Sequence, residues 1–337
     1  MEADAKQQLR TLVMWILALA AIAVIFALIL GGGDDAGTLL SVFATRFLGI
    51  FIEAAPFLLL GTLASGLIEA FVTADDIARL VPRNKVGATV TGAFLGFLFP
   101  VCECGVVPVV RRLFMKGLPM SVGVTFLLAA PVVNPVVLVS TYVAFGVGPV
   151  LIGRFVLTIL VAVMVGLIFA LSARPQDVLR ARTLAPVMGG SIDVLPRRRS
   201  LGEGLSAALR LAGDEFFEMG RYLIIGTALA ATMQTLVSQD VLLALGRGPI
   251  ISVLVMQGLA FLLSVCSTVD SFLALAFAGA FTTGSILAFL VFGPMVDIKS
   301  TLMFAGIFKG RVVLYLIVLP ALLTMLFAIW LNLNVVF

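Results

Sequence analysis

Long apolar runs alternate with short charged stretches along this chain, and the runs have the length of membrane-crossing helices rather than of core elements. Leu12 to Leu30 contains no charged residue, follows Lys6 and Arg10, and precedes Gly31-Gly32-Gly33-Asp34-Asp35. It approaches the ~20 residues that a ~30 Å hydrocarbon core requires, so it predicts an extra N-terminal helix with a cytoplasmic N-terminus. A secretory signal would have a shorter apolar core and a small-x-small cleavage site. Leu39 to Val72 is longer than one upright span needs, which places its first turns and Arg46 at the interface. This span carries Glu53 and Glu69 and ends in Asp75, Asp76, Arg79, Arg83 and Lys85, a loop whose basic excess marks it as cytoplasmic.

Val86 to Val110 has basic residues on both sides, Lys85 before it and Arg111, Arg112 and Lys116 after it. A single crossing would put one of these groups outside. A re-entrant hairpin keeps both inside, with its tip at Cys102-Glu103-Cys104-Gly105. The next run, Pro119 to Phe145, is broken by Pro131-Val132-Val133-Asn134-Pro135, where Pro135 cannot donate to the Pro131 carbonyl. An external Gly146-Val147-Gly148 turn leads to the span Pro149 to Leu171, and the arginine-rich segment 173–204 reads as a cytoplasmic linker.

The second half repeats the first. Phe51-x-Glu53, Gly61-Thr62 and Val72 match Phe216-x-Glu218, Gly226-Thr227 and Val237 at a separation of 165 residues, and Cys102 matches Cys266 at 164. Pro131-x-x-Asn134 matches Pro294-x-x-Asp297 at 163. Residues 39–172 and 205–337 therefore read as one duplicated unit. Counting crossings makes the two copies inverted, with a second hairpin from Pro249 to Ala280 whose tip is Cys266-Ser267-Thr268-Val269-Asp270. The fold class is an all-α polytopic membrane protein with inverted repeats, two re-entrant hairpins, two discontinuous helices and the extra N-terminal helix.

Composition agrees with this pattern and narrows the chemistry. Of 337 residues, 61% are hydrophobic and 12% charged, where a soluble domain carries roughly a quarter charged. The chain has no histidine, which excludes histidine metal centres and histidine proton relays. Its three cysteines all lie in apolar segments, which argues against a secreted disulfide framework. The net charge of +4 sits in loop arginines and lysines and speaks for topology, not for nucleic acid. Nothing in the chain implies a cofactor or an enzyme active site. The expected partners are the bilayer and a small solute or ion, with self-association left open.

Discontinuous helices in inverted repeats place a substrate site near the midplane. The candidate residues are Cys102, Glu103, Cys104 and Gly105 at one tip, and Cys266, Ser267, Thr268 and Asp270 at the other. Pro131, Asn134, Pro135, Pro294 and Asp297 at the two breaks complete the set. Closely spaced thiols are soft ligands, although buried cysteine also serves as a small packing residue. Carboxylates at membrane depth neutralise, pair or bind cations, so Glu103, Asp270 and Asp297 are proton-coupling candidates. Local capping by Asp270, and pairing of Asp297 with Lys299, are the structural alternatives. Asn134 could bind substrate or cap freed carbonyls, and Glu218 is expected to pair with Arg221 three residues on.

Pro-x-Cys-x-Cys-Gly-x-x-Pro at 100 to 108, Ala-Pro-x-x-Asn-Pro at 130 to 135 and Cys-Ser-Thr-x-Asp at 266 to 270 resemble a bacterial permease family that includes organoarsenical efflux permeases. The resemblance spans nearly the whole chain. It implies a multi-pass protein of the bacterial plasma membrane that exports trivalent organoarsenicals, with Cys102 and Cys104 the matching candidates for arsenic contact. Many members carry Ser where this chain has Glu103. A metal-ion or sulfur-compound permease or channel, and a non-transporting scaffold subunit relying on the arginine-rich linker, are the competing functions.

Overall fold

The computed structural model describes residues 34–82, 84–98, 101–172, 178–179, 201–236 and 248–334. The expected N-terminal helix, Phe99, Pro100 and nearly all of the linker lie outside them. The described residues form thirteen helices. In the first half these are α1 (Asp34–Phe71), α2 (Ala74–Leu80), α3 (Lys85–Leu98), α4 (Glu103–Met115), α5 (Met120–Ala129), α6 (Pro135–Phe145) and α7 (Pro149–Ser172). The second half holds α8 (Leu201–Leu236), α9 (Ile251–Leu263), α10 (Asp270–Phe277), α11 (Thr283–Met295), α12 (Ile298–Ile307) and α13 (Gly310–Asn334).

Among the described residues, four stretches are long and apolar enough to cross a membrane: Gly37–Phe71, Pro149–Leu171, Thr283–Ile307 and Gly310–Asn334. With the family findings below, this makes the chain a multi-pass helical membrane protein. Apart from α2, the two halves carry the same succession of helices. A long helix comes first, then two shorter ones separated by a break, two more separated by a break, and a final uninterrupted helix.

The breaks are set by local chemistry. At 130–134 the chain leaves the helix before Pro135, and Asn134 caps α6, its carboxamide oxygen accepting from Val137 N at 3.0 Å. The same carboxamide donates back to the Ala130 and Pro131 carbonyls at 3.2 and 3.3 Å, so freed backbone acceptors are answered by one side chain. At the equivalent break Asp297 caps α12, accepting from Ser300 N at 2.6 Å, while the Ser300 hydroxyl receives Asp297 N at 2.9 Å. Between α9 and α10 the chain turns through Ser264, the one described non-glycine residue with positive φ (51°).

The two long helices pack as an antiparallel pair. Arg46 on α1 donates to the Gln234 carbonyl near the end of α8. Phe51, Ala55 and Leu58 share an apolar crevice with Phe216, Gly220 and Leu223. Farther along, Gly66 lies against the Ala208 carbonyl, which a Cβ would approach to 2.4 Å. Numbers rise on α1 as they fall on α8, and Leu58 meets Leu223, its counterpart 165 residues later, at the crossing. Arg46, expected at the interface, thus makes a contact between helices.

Glycine also lets these two helices reach the breaks. A Cβ on Gly61 would sit 2.3 Å from the Gly105 carbonyl in the first turn of α4. One on Gly226 would sit 2.9 Å from Lys299 Cα in the first turn of α12. Small residues at matching positions therefore bring α1 and α8 against the helix starts that form the site.

The basic cluster after the first tip has a different role from the one its charge suggested. Arg111 and Arg112 are buried. Arg111 pairs with Glu218 of α8 at 2.7 Å, and Arg112 lies 3.6 Å from Glu215 and 3.7 Å from Glu69. Glu218 therefore takes Arg111, and Arg221 instead lies over the Tyr222 ring at 4.9 Å. Lys116 donates to the Glu69 and Val72 carbonyls at 3.1 and 2.7 Å, capping the end of α1 with a cation. The last residues of the expected linker, from Leu201, already belong to α8; of 173–200, Val178 and Leu179 are described, both buried, and Val178 O receives Lys309 N at 3.0 Å.

Candidate functional site

The starts of α4 and α12 meet where both long helices press on them. Cys102 is the N-cap of α4, its carbonyl accepting from Gly105 N and Val106 N at 3.1 and 3.0 Å. Cys266 plays a similar backbone role before α10, its carbonyl accepting from Val269 N and Asp270 N at 3.0 Å each. The two cysteines hold equivalent places in the two halves, and their side chains meet. The sulfurs of Cys102 and Cys266 and a carboxylate oxygen of Glu103 all lie within 4.8 Å of one another. Cys104 reaches the Cys102 thiol with its own, and the Thr268 hydroxyl donates to Cys266 Sγ at 3.6 Å. All three thiols are free and buried.

Carboxylates converge on the same place. Lys299, 1% exposed, puts its Nζ 3.4 Å from Glu103 Oε1 and 3.5 Å from Asp297 Oδ2. One ammonium does not fully satisfy both carboxylates: Glu103 Oε2 is buried without a hydrogen-bond partner, and Asp297 Oδ2 has only this long contact. An unpaired buried acceptor is costly, which makes Glu103, beside two thiols, a candidate ligand position.

Asp270 lies in a second, neighbouring cluster. Arg154 of α7, fully buried, donates to Asp270 Oδ2 at 2.7 Å, to Ser271 Oγ at 2.7 Å, to Thr141 Oγ1 at 2.9 Å and to the Ser267 carbonyl at 3.3 Å. Ser271 in turn donates to Asp270 Oδ1 at 3.3 Å. This network ties the second tip to α6 and α7 and occupies Asp270 fully, whereas the Ser267 hydroxyl beside it is buried and unpaired.

The sequence-predicted residues thus fall into three groups. Cys102, Glu103, Cys104, Cys266, Thr268 and Asp297 come together around Lys299, with Gly105 as the surface on which α1 rests. Ser267 and Asp270 line the Arg154 network. Pro131, Asn134, Pro135 and Pro294 shape the two breaks, and both ends of the Asn134 carboxamide are spent on capping. Sequence reasoning passed over Lys299 as a site residue, Arg154 altogether, and the meeting of Cys102 with Cys266. A lysine and an arginine inside apolar runs were visible signals. Their partners, 196 and 116 residues away, were not.

Chemically, two thiols and a carboxylate form a mixed soft and hard donor set for a thiophilic centre or a soft cation. Comparison with known proteins points to transport. A family model described as a predicted permease matches residues 39–333. The UPF0718 protein YcgR of Bacillus subtilis (strain 168) is 46% identical over 272 residues, covering 80% of this chain and 90% of that protein. A Streptococcus mutans (serotype c, strain ATCC 700610 / UA159) protein named "Putative two-component membrane permease complex subunit" is 36% identical over 288 residues, covering 84% of this chain and 92% of that protein. No solved structure matches the chain.

Proposed function

The chain belongs to the predicted permease family, and on that premise we propose that it exports a small thiophilic solute, such as a trivalent organoarsenical, by alternating access between two inverted halves. The observation that carries this reading is the meeting of Cys102 and Cys266, one from each half, beside Glu103. A solute gripped by both halves at once is released to one side or the other as they rock. For a methylarsenite-type substrate, two thiols replace two hydroxyls on arsenic, their protons leave in two waters, and no electrons are exchanged.

The antiparallel pairing of α1 with α8 supports an inverted relation, because two copies related by an in-plane two-fold axis bring their first helices together in opposite directions. The non-helical residues 101–102 before α4 and 264–269 before α10 support re-entrant hairpins in the same way. Glu103 and Asp297 are the residues we assign to proton coupling, since Asp270 is already neutralised by Arg154. The protein would sit in the bacterial plasma membrane with its N-terminus inside. The name of the Streptococcus relative brings a second subunit into the reading, with the linker as the hydrophilic segment available to meet it.

A second reading, export of a soft metal ion, draws on Glu103, whose carboxylate is a better ligand for a cation than for a neutral arsenical. Uptake into everted vesicles of methylarsenite, inorganic arsenite, zinc and copper, comparing the parent with Cys102→Ser and Cys266→Ser, tests both. Loss of flux for one of these solutes in both variants is the expected result, and equal flux of all four in parent and variants would sink the thiol-ligand reading.

A further inference from the structure

Ion pairs of different length and chemistry coexist in the buried part of this protein. Among the arginine pairs Arg154–Asp270 and Arg111–Glu218 are short, 2.7 Å each, and Arg112–Glu215 is 3.6 Å. The pairs at the centre use lysine and are long, 3.4 and 3.5 Å from Lys299 Nζ to Glu103 and Asp297. Arginine presents a rigid fork suited to a permanent bond, while lysine is a point charge on a flexible stem. Lys299 also stands in the first turn of α12, the positive end of the helix dipole, where a cation is disfavoured. The carboxylates hold its ammonium there, and Gly226 fixes its Cα by close approach.

The carboxylates have more capacity than Lys299 uses. Glu103 Oε2 is buried without a hydrogen-bond partner, Asp297 Oδ2 has only the long contact to Lys299, and Glu103 lies beside the sulfurs of Cys102 and Cys266. Such a pocket holds one positive charge loosely and is built to hold a stronger one.

We propose that Lys299 is a tethered stand-in for a transported cation: it neutralises the carboxylates in the empty site and gives way when a soft divalent ion binds Cys102, Cys266 and Glu103. This deepens the permease reading, on which it rests, by naming the charge class of the substrate. On binding, one thiol proton leaves to water while the second sulfur coordinates as a neutral thiol, so that the divalent ion brings one net positive charge in place of the lysine's, and the lysine keeps its own proton. The lysine thereby lets the empty carrier return. Without it, the unloaded halves would carry uncompensated carboxylates through the midplane, a costly state, whereas the loaded form would remain neutralised by its ion.

The consequence is a split between net transport and exchange. Full-length protein in proteoliposomes, with cadmium as probe, separates them. Lys299→Met is expected to bind cadmium about tenfold more tightly by calorimetry and to lose net efflux at least about tenfold, while cadmium–cadmium counterflow falls less than about threefold. Lys299→Arg, which keeps the charge and grips the carboxylates more firmly, is expected to weaken cadmium binding about fivefold or more. It covers the case in which the methionine variant does not fold. Unchanged or weaker cadmium binding in Lys299→Met, a parallel fall of net flux and counterflow, or unchanged binding in Lys299→Arg would each overturn the proposal. A parent that moves methylarsenite but neither binds nor moves cadmium overturns it while leaving the permease reading intact. A parent that moves neither solute removes that reading as well.

Discussion

Cys102 and Cys266, 164 residues apart in the chain and equivalent in its two halves, bring their sulfurs within 4.8 Å of each other and of a Glu103 oxygen. The pair that matters for a solute held between the halves is therefore this one rather than the sequence neighbours Cys102 and Cys104. Cys266→Ser is expected to reduce transport as much as Cys102→Ser, by about tenfold or more, because each removes one soft ligand. Cys104→Ser should cost less than about threefold, since Cys104 is not part of the donor group that Cys102, Glu103 and Cys266 form. Initial rates in vesicles at matched expression give the comparison, and a Cys266→Ser protein with parental flux would contradict it.

Glycine positions on α1 divide sharply by what faces them. Nothing lies within 4 Å of a Cβ built on Gly49, whereas one on Gly61 would strike the Gly105 backbone at 2.3 Å. Gly49→Ala should leave stability unchanged or raise it by up to about 1 kcal/mol, the helix-propensity gain. Gly61→Ala should cost about 1–3 kcal/mol, because backbone rather than a movable side chain stands in the way. Thermal unfolding in detergent, read side by side for the two variants, measures this. Equal midpoints would mean that α1 is not pressed onto α4.

The buried arginines of α4 lead to a double-substitution test. Arg111→Met leaves Glu218 facing a greasy neighbour, and the cost of breaking a buried pair is about 3–5 kcal/mol. Glu218 is partly exposed, its side chain at 29%, which places the expected loss at the low end. Arg111→Met/Glu218→Met should recover most of that loss. Additive losses in the cycle would show that the 2.7 Å contact contributes no coupling.

Much of this architecture was legible in the sequence. The helix breaks follow from prolines, glycines and capping residues, all local effects, so Asn134 and Asp297 announce the starts of α6 and α12 by themselves. Phe51, Gly61 and Cys102 recur at nearly constant spacing, and the helices of the two halves follow the same succession. What could not be read was which charge meets which. Arg111 and Arg112 look like a membrane-surface cluster until the fold buries them against Glu218 and Glu215. Lys299 looks like the local partner of Asp297, yet it also reaches Glu103, 196 residues away. Pairings of this kind depend on how α4, α8 and α12 are brought together, and periodicity along the chain carries no information about that.

Asp270 offers a test of fixed structure against coupling. Arg154 gives it a 2.7 Å bond and also binds Ser271, Thr141 and the Ser267 carbonyl. Asp270→Asn leaves a buried guanidinium without its counter-charge and should lower stability by about 3–5 kcal/mol. The dependence of transport on pH should keep its parental midpoint, because the coupling proton is assigned to Glu103 and Asp297. A folded Asp270→Asn protein whose transport no longer responds to pH would move the coupling role to Asp270.

Opposed orientation of the two halves can be read from the sidedness of three exposed positions. Asn84 precedes α3 and Pro119 follows α4, so a re-entrant α3–α4 puts both on the cytoplasmic side, while a single crossing separates them. Ala280 follows α10, the counterpart of α4, and an inverted second half puts it outside. Single cysteines at these positions, in a background where Cys102, Cys104 and Cys266 are serine, should therefore label differently with an impermeant maleimide. Cysteines at 84 and 119 should react only in everted vesicles, and one at 280 only in right-side-out cells. The combination matters, since the proposed inverted halves enter from opposite sides, and a re-entrant hairpin returns to the side it entered. Labelling of 84 and 119 from opposite sides would eliminate the first hairpin and, with it, the crossing count that makes the halves inverted.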